Sequence, residues 1–283
     1  MSIQASNILA AAAQETIATV DHLFSEGLDE TTDEEMGGHL AMFLAEQVWS
    51  VIPARKTGYI ENVDVNALLA LARERGIILC MERGVGEFVV ENTSLVSVSG
   101  PIGLDNQMTA ELNAVYVISR QRTVEQDVAF GIRQIVDVAL KALSPGINDR
   151  TTAVMCVDYL TAILVRLSVR RIATRLWLDQ GELRVIAKGP SFESLLAEAF
   201  DQIRQNAKAN VAVLTRLLQV LRTISSAHDR VEIEASLGRL SYSWRPFSRD
   251  SLPLKTIPYE RQGRHQDTKR KHEFYVFVVS KSA

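Results

Sequence analysis

Seven polar residues between positions 126 and 152 have the types and the spacing to hold a ligand. They are Gln126, Arg133, Asp137, Asn148, Asp149, Thr151 and Thr152. The segment 123–143 has the apolar spacing of a helix, and at 100° per residue the first three fall within one polar arc of that helix. The other four follow in the next turn and at the start of a second helix. Carboxylates, amides, hydroxyls and a guanidinium together suit the orientation of one small polar ligand or a partner loop.

The turn 144–149 determines whether these residues meet. Ser144-Pro145-Gly146 ends the first helix, and we expect Gly146 to take the left-handed conformation that often closes a helix. Asn148 or Asp149 then caps the second helix. Two helices joined by a short turn run antiparallel, so the turn lies beside the C-terminal half of the first helix. A capped turn next to a solvated helix face explains the same residues, and both interpretations stay open.

Three further residues in these helices need an explanation. Phe130 lies within the polar arc, and Gly131 lies at its border although glycine costs about 1 kcal/mol in a helix interior. A cleft wall or a tight crossing with another helix would explain both. Asp158 is the one charged residue in the apolar segment 154–165, which predicts a buried helix. We expect Asp158 to be buried and paired with an arginine, with Arg133 as the first candidate and Arg122 as the second.

Composition argues against several classes of function. The net charge of −3 gives no bias toward nucleic acid, so we expect no nucleic-acid partner. Cys80 and Cys156 lie far apart in apolar runs, which indicates buried, reduced thiols. The five histidines show no metal-ligand spacing. We therefore expect no metal, no cofactor and no catalytic set, and we favour a non-enzymatic protein.

Nothing in the sequence has the length of a membrane span. Residues 1–12 lack the positive region that begins a secretory signal. The longest apolar run, 151–167, contains Asp158 and Arg166 and falls short of the roughly 20 residues that a span needs. We expect the chain as given to be soluble and cytoplasmic.

The pattern of elements predicts an α+β protein with a mostly helical body and a small inserted β-rich subdomain. We expect an acidic helical hairpin over 1–56, the β-rich subdomain over 57–101, a helical domain with one β-hairpin over 102–240, and a basic, poorly ordered tail over 241–283. The second helix of the acidic hairpin runs through Trp49, and the β-hairpin turns at Gln180-Gly181. In the β-rich subdomain, Asp64 caps a short helix that Gly76 ends. Residues 1–50 hold nine carboxylates and no lysine or arginine, whereas the chain from Arg239 onward holds ten cations and four carboxylates.

The β-rich region also suggests a topology. Its glycine and valine pattern resembles the half-motifs of barrel-sandwich folds such as lipoyl and biotinyl domains. Residues 57–101 contain no lysine, so a covalently attached cofactor is excluded.

The central segment RTVEQDVAFGIRQIVDVALKALSPGINDRTTAVMCVDYL resembles the signature of a bacterial family of predicted membrane proteins, domain of unknown function 2254. SIQASNILAAAAQETIATVDHLF, GYIENVDVNALLALA, GEFVV and SFESLLAEAFDQIRQNA agree with it. The resemblance covers about 2–240, and Arg150 stands where the family usually has proline. Family members typically carry several transmembrane helices first. The resemblance therefore implies the soluble part of a protein of the inner membrane, with membrane contact only through a missing N-terminal segment.

Three functions are consistent with these observations. We prefer a regulatory or ligand-binding module, because the polar set includes no nucleophile–base pair. An enzyme would use Asp137, Asp149 or Asp158 as acid or base and Arg133 to hold a small anionic substrate. A structural oligomerisation domain, with homo-oligomers as the assembly, is motivated by the apolar segment 154–165.

Overall fold

The computed structural model describes residues 3–24, 44, 46–100, 106–170, 172, 176–207, 210–226, 254–257 and 276–279. The chain divides into two compact units, Met1–Ile233 and Glu234–Ala283. In the second unit, β9 (Leu254–Ile257) and β10 (Val276–Val279) pair antiparallel, so part of the tail that we expected to be poorly ordered forms strands. The rest of that tail, and residues 25–43 of the predicted acidic hairpin, lie outside the described residues.

The first unit alternates short strands with helices and then continues mainly as helices. The helices among its described residues are α1 (Ile3–Leu23), α2 (Val65–Arg75), α3 (Asn106–Ala114), α4 (Val128–Leu143), α5 (Arg150–Ser168), α6 (Phe192–Asn206) and α7 (Val211–Ser226). The strands are β1 (Trp49–Pro53), β2 (Gly58–Val63), β3 (Leu79–Met81), β4 (Phe88–Val89), β5 (Ser94–Ser99), β6 (Tyr116–Ser119), β7 (Leu176–Asp179) and β8 (Glu182–Ile186). The predicted α+β class is confirmed.

The strands form two sheets, with the orders β1-β5-β3-β8-β7 and β4-β2-β6. Residues outside 57–101 contribute strands to both sheets, since β1, β6, β7 and β8 all lie beyond that range. Trp49, expected at the end of a helix, instead begins β1. The β7–β8 hairpin turns at Gln180 and Gly181, whose φ values of 51° and 83° match the turn predicted there. The barrel-sandwich detail stays a prediction.

The local signals of the β-rich part are confirmed. Asp64 caps α2 by accepting a hydrogen bond from the N–H of Ala67 at 2.9 Å. Gly76 ends the same helix in the left-handed conformation, with a φ of 65°. Leu68 and Ala72 of this helix are buried in one core with the inward residues of both sheets. That core holds the strands together.

Helix α5 lies at the centre of the helical part and contacts α1, α4, α6 and α7. Its ten buried residues all fall within one half of the helix circumference. On the other half, Val154, Met155 and Val165 are only partly buried and Ala162 is exposed, so the all-round burial that we predicted for segment 154–165 is wrong. Among the described residues, α5 is also the one helix long and apolar enough to cross a membrane. Of its apolar window, 56% is buried inside the fold, as is typical of a core helix.

The predicted environment of Asp158 is wrong. Its side chain is 42% exposed and pairs with Arg216 of α7 at 2.5 Å, not with Arg133. Asp158 lies on the flank of α5 that faces α7, and the sequence pattern gave no information on which helix would pack there. An ion pair this exposed contributes little to stability.

A stronger ion cluster joins the C-terminal ends of α1 and α5. Asp21 accepts hydrogen bonds from Arg166 Nε at 2.6 Å and from Arg170 at 2.7 Å. The hydrogen bond from Arg166 is the largest influence on this carboxyl, and the pKa of Asp21 is lowered. Arg170 is buried and also donates to the carbonyl of Phe24 at 3.0 Å. The cluster fixes the end of α1 against α5.

Of the two explanations open for Gly131, a cleft wall and a tight helix crossing, the structure shows the crossing. A Cβ at this position would overlap Oγ1 of Thr16 and come within 2.8 Å of its Cγ2. Thr16 itself is fully buried and donates to the carbonyl of Ala12. Helices α1 and α4 therefore approach more closely than any larger residue at position 131 would allow.

We predict that Gly131→Ala lowers the free energy of unfolding, although alanine is better than glycine in a helix by about 1 kcal/mol. The clash with Thr16 costs about 1–3 kcal/mol, so the net loss after the gain in propensity is up to about 2 kcal/mol. Gly146→Ala is the control, because a Cβ added at that position in the turn would meet no atom within 4 Å. Urea denaturation measures both. Adding Thr16→Ala should restore most of the loss, and a stabilised Gly131→Ala protein would contradict the crossing.

We also predict that Asp21→Asn costs about 2 kcal/mol, because it leaves the buried Arg170 without its carboxylate. The estimate is reduced for the partial exposure of Asp21. Asp158→Asn is the matched control, since both partners of its ion pair are about 40% exposed. It should cost less than about 1 kcal/mol. Equal effects of the two substitutions in thermal or urea denaturation would show that the Asp21 cluster is no stronger than a surface pair.

Candidate functional site

Arg133 and Asp137 lie together on the outer face of α4, where α6 packs beside it. Arg133 contacts Asp137 at 2.6 Å and Glu198 of α6 at 3.4 Å. Burial lowers the pKa of Arg133, but its hydrogen bonds to Asp137 and Glu198 raise it by more, so the net shift is upward. The guanidinium therefore stays charged and is oriented by two carboxylates.

Glu198 also borders a shallow, open concavity of about 610 Å³ whose described lining residues all belong to α6. The other lining residues are mostly polar: Ser194, Ala197, Asp201, Gln202, Gln205 and Asn206. Their spacing of three and four residues places them on one stripe of the helix, opposite its buried face. Arg133 and Asp137 therefore stand beside a polar concavity, which the sequence pattern of α4 alone did not indicate.

The turn between α4 and α5 satisfies its own polar groups. Asp149 caps α5 and accepts from the N–H of Thr152 at 3.0 Å and from its hydroxyl at 2.6 Å. The hydroxyl of Thr152 has the largest effect on this carboxyl, and the pKa of Asp149 is lowered. The N–H of Asp149 donates to the carbonyl of Ala142 at 2.8 Å, and that of Asn148 to Ser144 at 2.9 Å. These contacts are those of a capped turn.

The left-handed residue of the turn is Asn148, with a φ of 45°, and not Gly146 as predicted. Ser144 is extended after α4, so the reversal of direction falls immediately before the cap of α5. Asparagine tolerates this conformation better than most residues. Thr151 is exposed, and Thr152 is buried.

The seven predicted residues thus fall into separate groups. Ten helical residues, or roughly 15 Å, separate Arg133 from the end of α4. Gln126 lies half-buried two residues before α4, at the opposite end from the turn. The structure brings Arg133 and Asp137 to one place and Asn148, Asp149, Thr151 and Thr152 to another.

Asp127 has a structural role that our sequence analysis missed. It caps α4, with a bond from the N–H of Phe130 at 2.9 Å, and pairs with Arg122 at 2.7 Å. Arg122 also lies 5.0 Å from the centre of the Phe130 ring, which explains an aromatic residue on the polar face. Gly86, with a φ of 84°, packs against this ion pair. An aspartate before an apolar run is a capping signal, and it also explains why α4 begins at Val128 and not at Thr123.

A second polar group lies inside the β-rich part. Ser97 donates to Glu82 at 2.6 Å, and the hydroxyl of Tyr116 is buried without a hydrogen-bond partner. Burial first, then the nearby Cys80 and Glu82, raises the pKa of Tyr116. Burial also raises the pKa of Cys80, and it raises that of Cys156 to about 12. Both thiols therefore stay protonated at neutral pH and are poor nucleophiles.

The chain matches the family described as predicted membrane protein, domain of unknown function 2254, over residues 1–223. It belongs to this family. The members are predicted membrane proteins of unknown function, and the resemblance given by the central segment is confirmed.

The chain is also similar to curated proteins of mycobacteria. It is 32% identical over 231 residues to an uncharacterised protein of Mycobacterium bovis, and equally to one of Mycobacterium tuberculosis. In each case the match covers 79% of this chain and 43% of the relative. The chain therefore spans less than half the length of these relatives. No solved structure matches it.

We predict that Asp149→Ala lowers the free energy of unfolding by about 1 kcal/mol at pH 7, because the cap of α5 is lost. The pKa of this carboxyl is lowered by folding, so its contribution is present at neutral pH and disappears as the pH falls through the folded-state pKa. The difference in unfolding free energy between variant and wild type should therefore persist down to pH 3.8 and narrow only below it, as measured in urea at each pH. Thr151→Ala, next to the cap and exposed, is the control with little effect. A difference that does not narrow below pH 3.8 would contradict this role.

Proposed function

We propose that this chain is a non-enzymatic regulatory or ligand-binding module, on the cytoplasmic side, of a membrane protein. Its ligand is a small polar molecule that carries a positive charge. One observation supports this most directly: Arg133 orients Glu198 and Asp137 at the rim of the polar concavity along α6.

The charges around the concavity favour a cation. Asp137, Glu198 and Asp201 are carboxylates, whereas Arg133 and Arg204 are the cations paired with them. Three negative charges against two positive ones leave an excess of one carboxylate. Oδ1 of Asp201 accepts no hydrogen bond and lies 3.7 Å from the guanidinium of Arg204, so this ion pair is a loose one.

Amide side chains extend the site along the helix. Gln202, Gln205 and Asn206 line the same concavity and provide both donors and acceptors. A ligand with an amino group at one end and polar groups along its length would match carboxylates at one end of the stripe and amides at the other. Of the seven residues predicted from sequence, this proposal assigns Arg133 and Asp137 to the ligand site.

The enzymatic alternative has less support. Each carboxylate that it would use is already engaged: Asp137 by Arg133, Asp149 by Thr152 and Asp158 by Arg216. Within the described ranges, no three histidine, cysteine or acidic side chains are grouped as metal ligands would be. The oligomerisation alternative keeps one observation in its favour, because Val154, Met155 and Val165 of α5 are only partly buried within the chain.

The test is a thermal-shift screen of the full chain with diamines, amino acids and nucleotides. We expect an amine or amino acid to raise Tm, and Glu198→Gln to weaken its binding at least about tenfold because a charged partner is lost. Glu193→Gln is the matched control, since Glu193 is exposed on the same helix and does not line the concavity.

Two results would contradict the proposal. The first is that no amine or amino acid at millimolar concentration changes Tm. The other is a ligand that binds wild type and Glu198→Gln equally, which would place its site elsewhere. A nucleotide that binds through Arg133 would replace the cationic ligand with an anionic one.

A further inference from the structure

The packing of α1 defines the two ends of the helical part. Thr16 of α1 lies against Gly131 near the start of α4, and Asp21 pairs with Arg166 and Arg170 near the end of α5. Helix α1 therefore runs antiparallel to α4 and parallel to α5. It follows that the amino end of α1 lies at the same end of these three helices as the turn 144–149.

This end presents an apolar residue at the tip of a turn. Ile147 is 53% exposed, and its neighbours Pro145, Gly146 and Asn148 are exposed as well. The backbone bonds from Ile147 and Asn148 to Ser144 hold the tip in place. A large apolar side chain is thus fixed in solvent by a well-bonded turn and covers none of the core. We call residues 145–148 the turn tip.

Cations flank the turn tip on both sides. Lys141 in the last turn of α4 and Arg150 at the start of α5 are exposed. The carboxylate of Asp149 is held by Thr152, and residues 3–14 at the amino end of α1 carry no charged side chain. Lys141, Asp149 and Arg150, the charged residues next to the turn tip, therefore carry one more positive than negative charge, although the chain as a whole is negative.

We propose that the turn tip docks this protein onto an anionic lipid surface. An apolar side chain at the centre with basic side chains around it is the composition of a peripheral membrane contact, in which the apolar group enters the interface and the cations meet lipid phosphates. The turn tip has four residues, far fewer than the roughly 20–30 per partner of a stable protein interface, so a second copy is the less suitable occupant. Membership in a family of predicted membrane proteins is consistent with this occupant.

A competing surface lies on the three-stranded sheet. Phe88 and Val117 are about half exposed there, and Phe88 packs edge-on against Tyr59 at 5.0 Å. Two cations beside these strands, Arg83 and Lys188, are both paired with Glu87. Glu61 and Glu91 add negative charge, which anionic lipids repel. The turn tip is therefore the better match to a lipid surface, and the sheet face serves as the control.

The experiment is co-sedimentation of the full chain with vesicles of equal parts phosphatidylcholine and phosphatidylglycerol, compared with phosphatidylcholine alone. We expect binding to the anionic vesicles that weakens in high salt. Lys141→Gln and Arg150→Gln should each weaken it about fivefold, and Ile147→Asp at least about tenfold. Val117→Asp, an exposed apolar residue on the sheet, should bind as wild type does.

Several outcomes would overturn the inference. They are no binding by the wild-type chain, equal binding of Ile147→Asp and wild type, or a loss of binding in Val117→Asp alone. Analytical sedimentation of the chain in solution gives one more such outcome. If Ile147→Asp converts a dimer into a monomer and the wild-type chain does not bind vesicles, the turn tip contacts a second copy of the chain. The result does not depend on the proposed ligand site, because Glu198→Gln should leave vesicle binding unchanged.

Discussion

The burial of one half of α5 is the constraint on which the rest of the helical part depends. Ten of its side chains are buried, and α1, α4, α6 and α7 pack against the helix to cover them. Each covering helix then has one face against α5 and another in solvent. The strong amphipathic character of α4, α6 and α7 follows from this arrangement. Side chains that could bind a ligand therefore lie on the solvent-exposed faces of these helices.

Two contacts of α1 set the geometry of this helix packing. Gly131 lets α1 approach α4 closely, and the Asp21 cluster fixes the other end of α1 to α5. A further contact joins the helical and β-rich parts. There, Asp127 and Arg122 hold the start of α4 against Gly86. Because α4 is fixed at this point and along α1, the position of Arg133 beside α6 is defined by structural residues that touch no candidate ligand. Stability and the candidate site are therefore linked through α4.

The polar residues predicted as a site between positions 126 and 152 divide between a structural role and a place at the candidate site. Asp149 and Thr152 satisfy the backbone of a helix start, whereas Arg133 meets a carboxylate from another helix beside a concavity. Both groups have the residue types of a binding site. Their neighbours distinguish them: a carboxylate whose oxygens are both bonded to the next turn has little left for a ligand, but a guanidinium at the rim of a concavity orients groups that a ligand can reach.

The sequence alone determined the α+β class, the family and the caps at Asp64, Gly76 and Asp149. These follow from local patterns, because capping and helical periodicity depend on residues a few positions apart. Only the tertiary structure decided that Asp158 meets Arg216, that Glu198 joins Arg133, and that β1 and β8 enter the sheet with β5 and β3. Those contacts join residues far apart in the chain, and they are set by which helix and strand faces pack together, which no local spacing encodes.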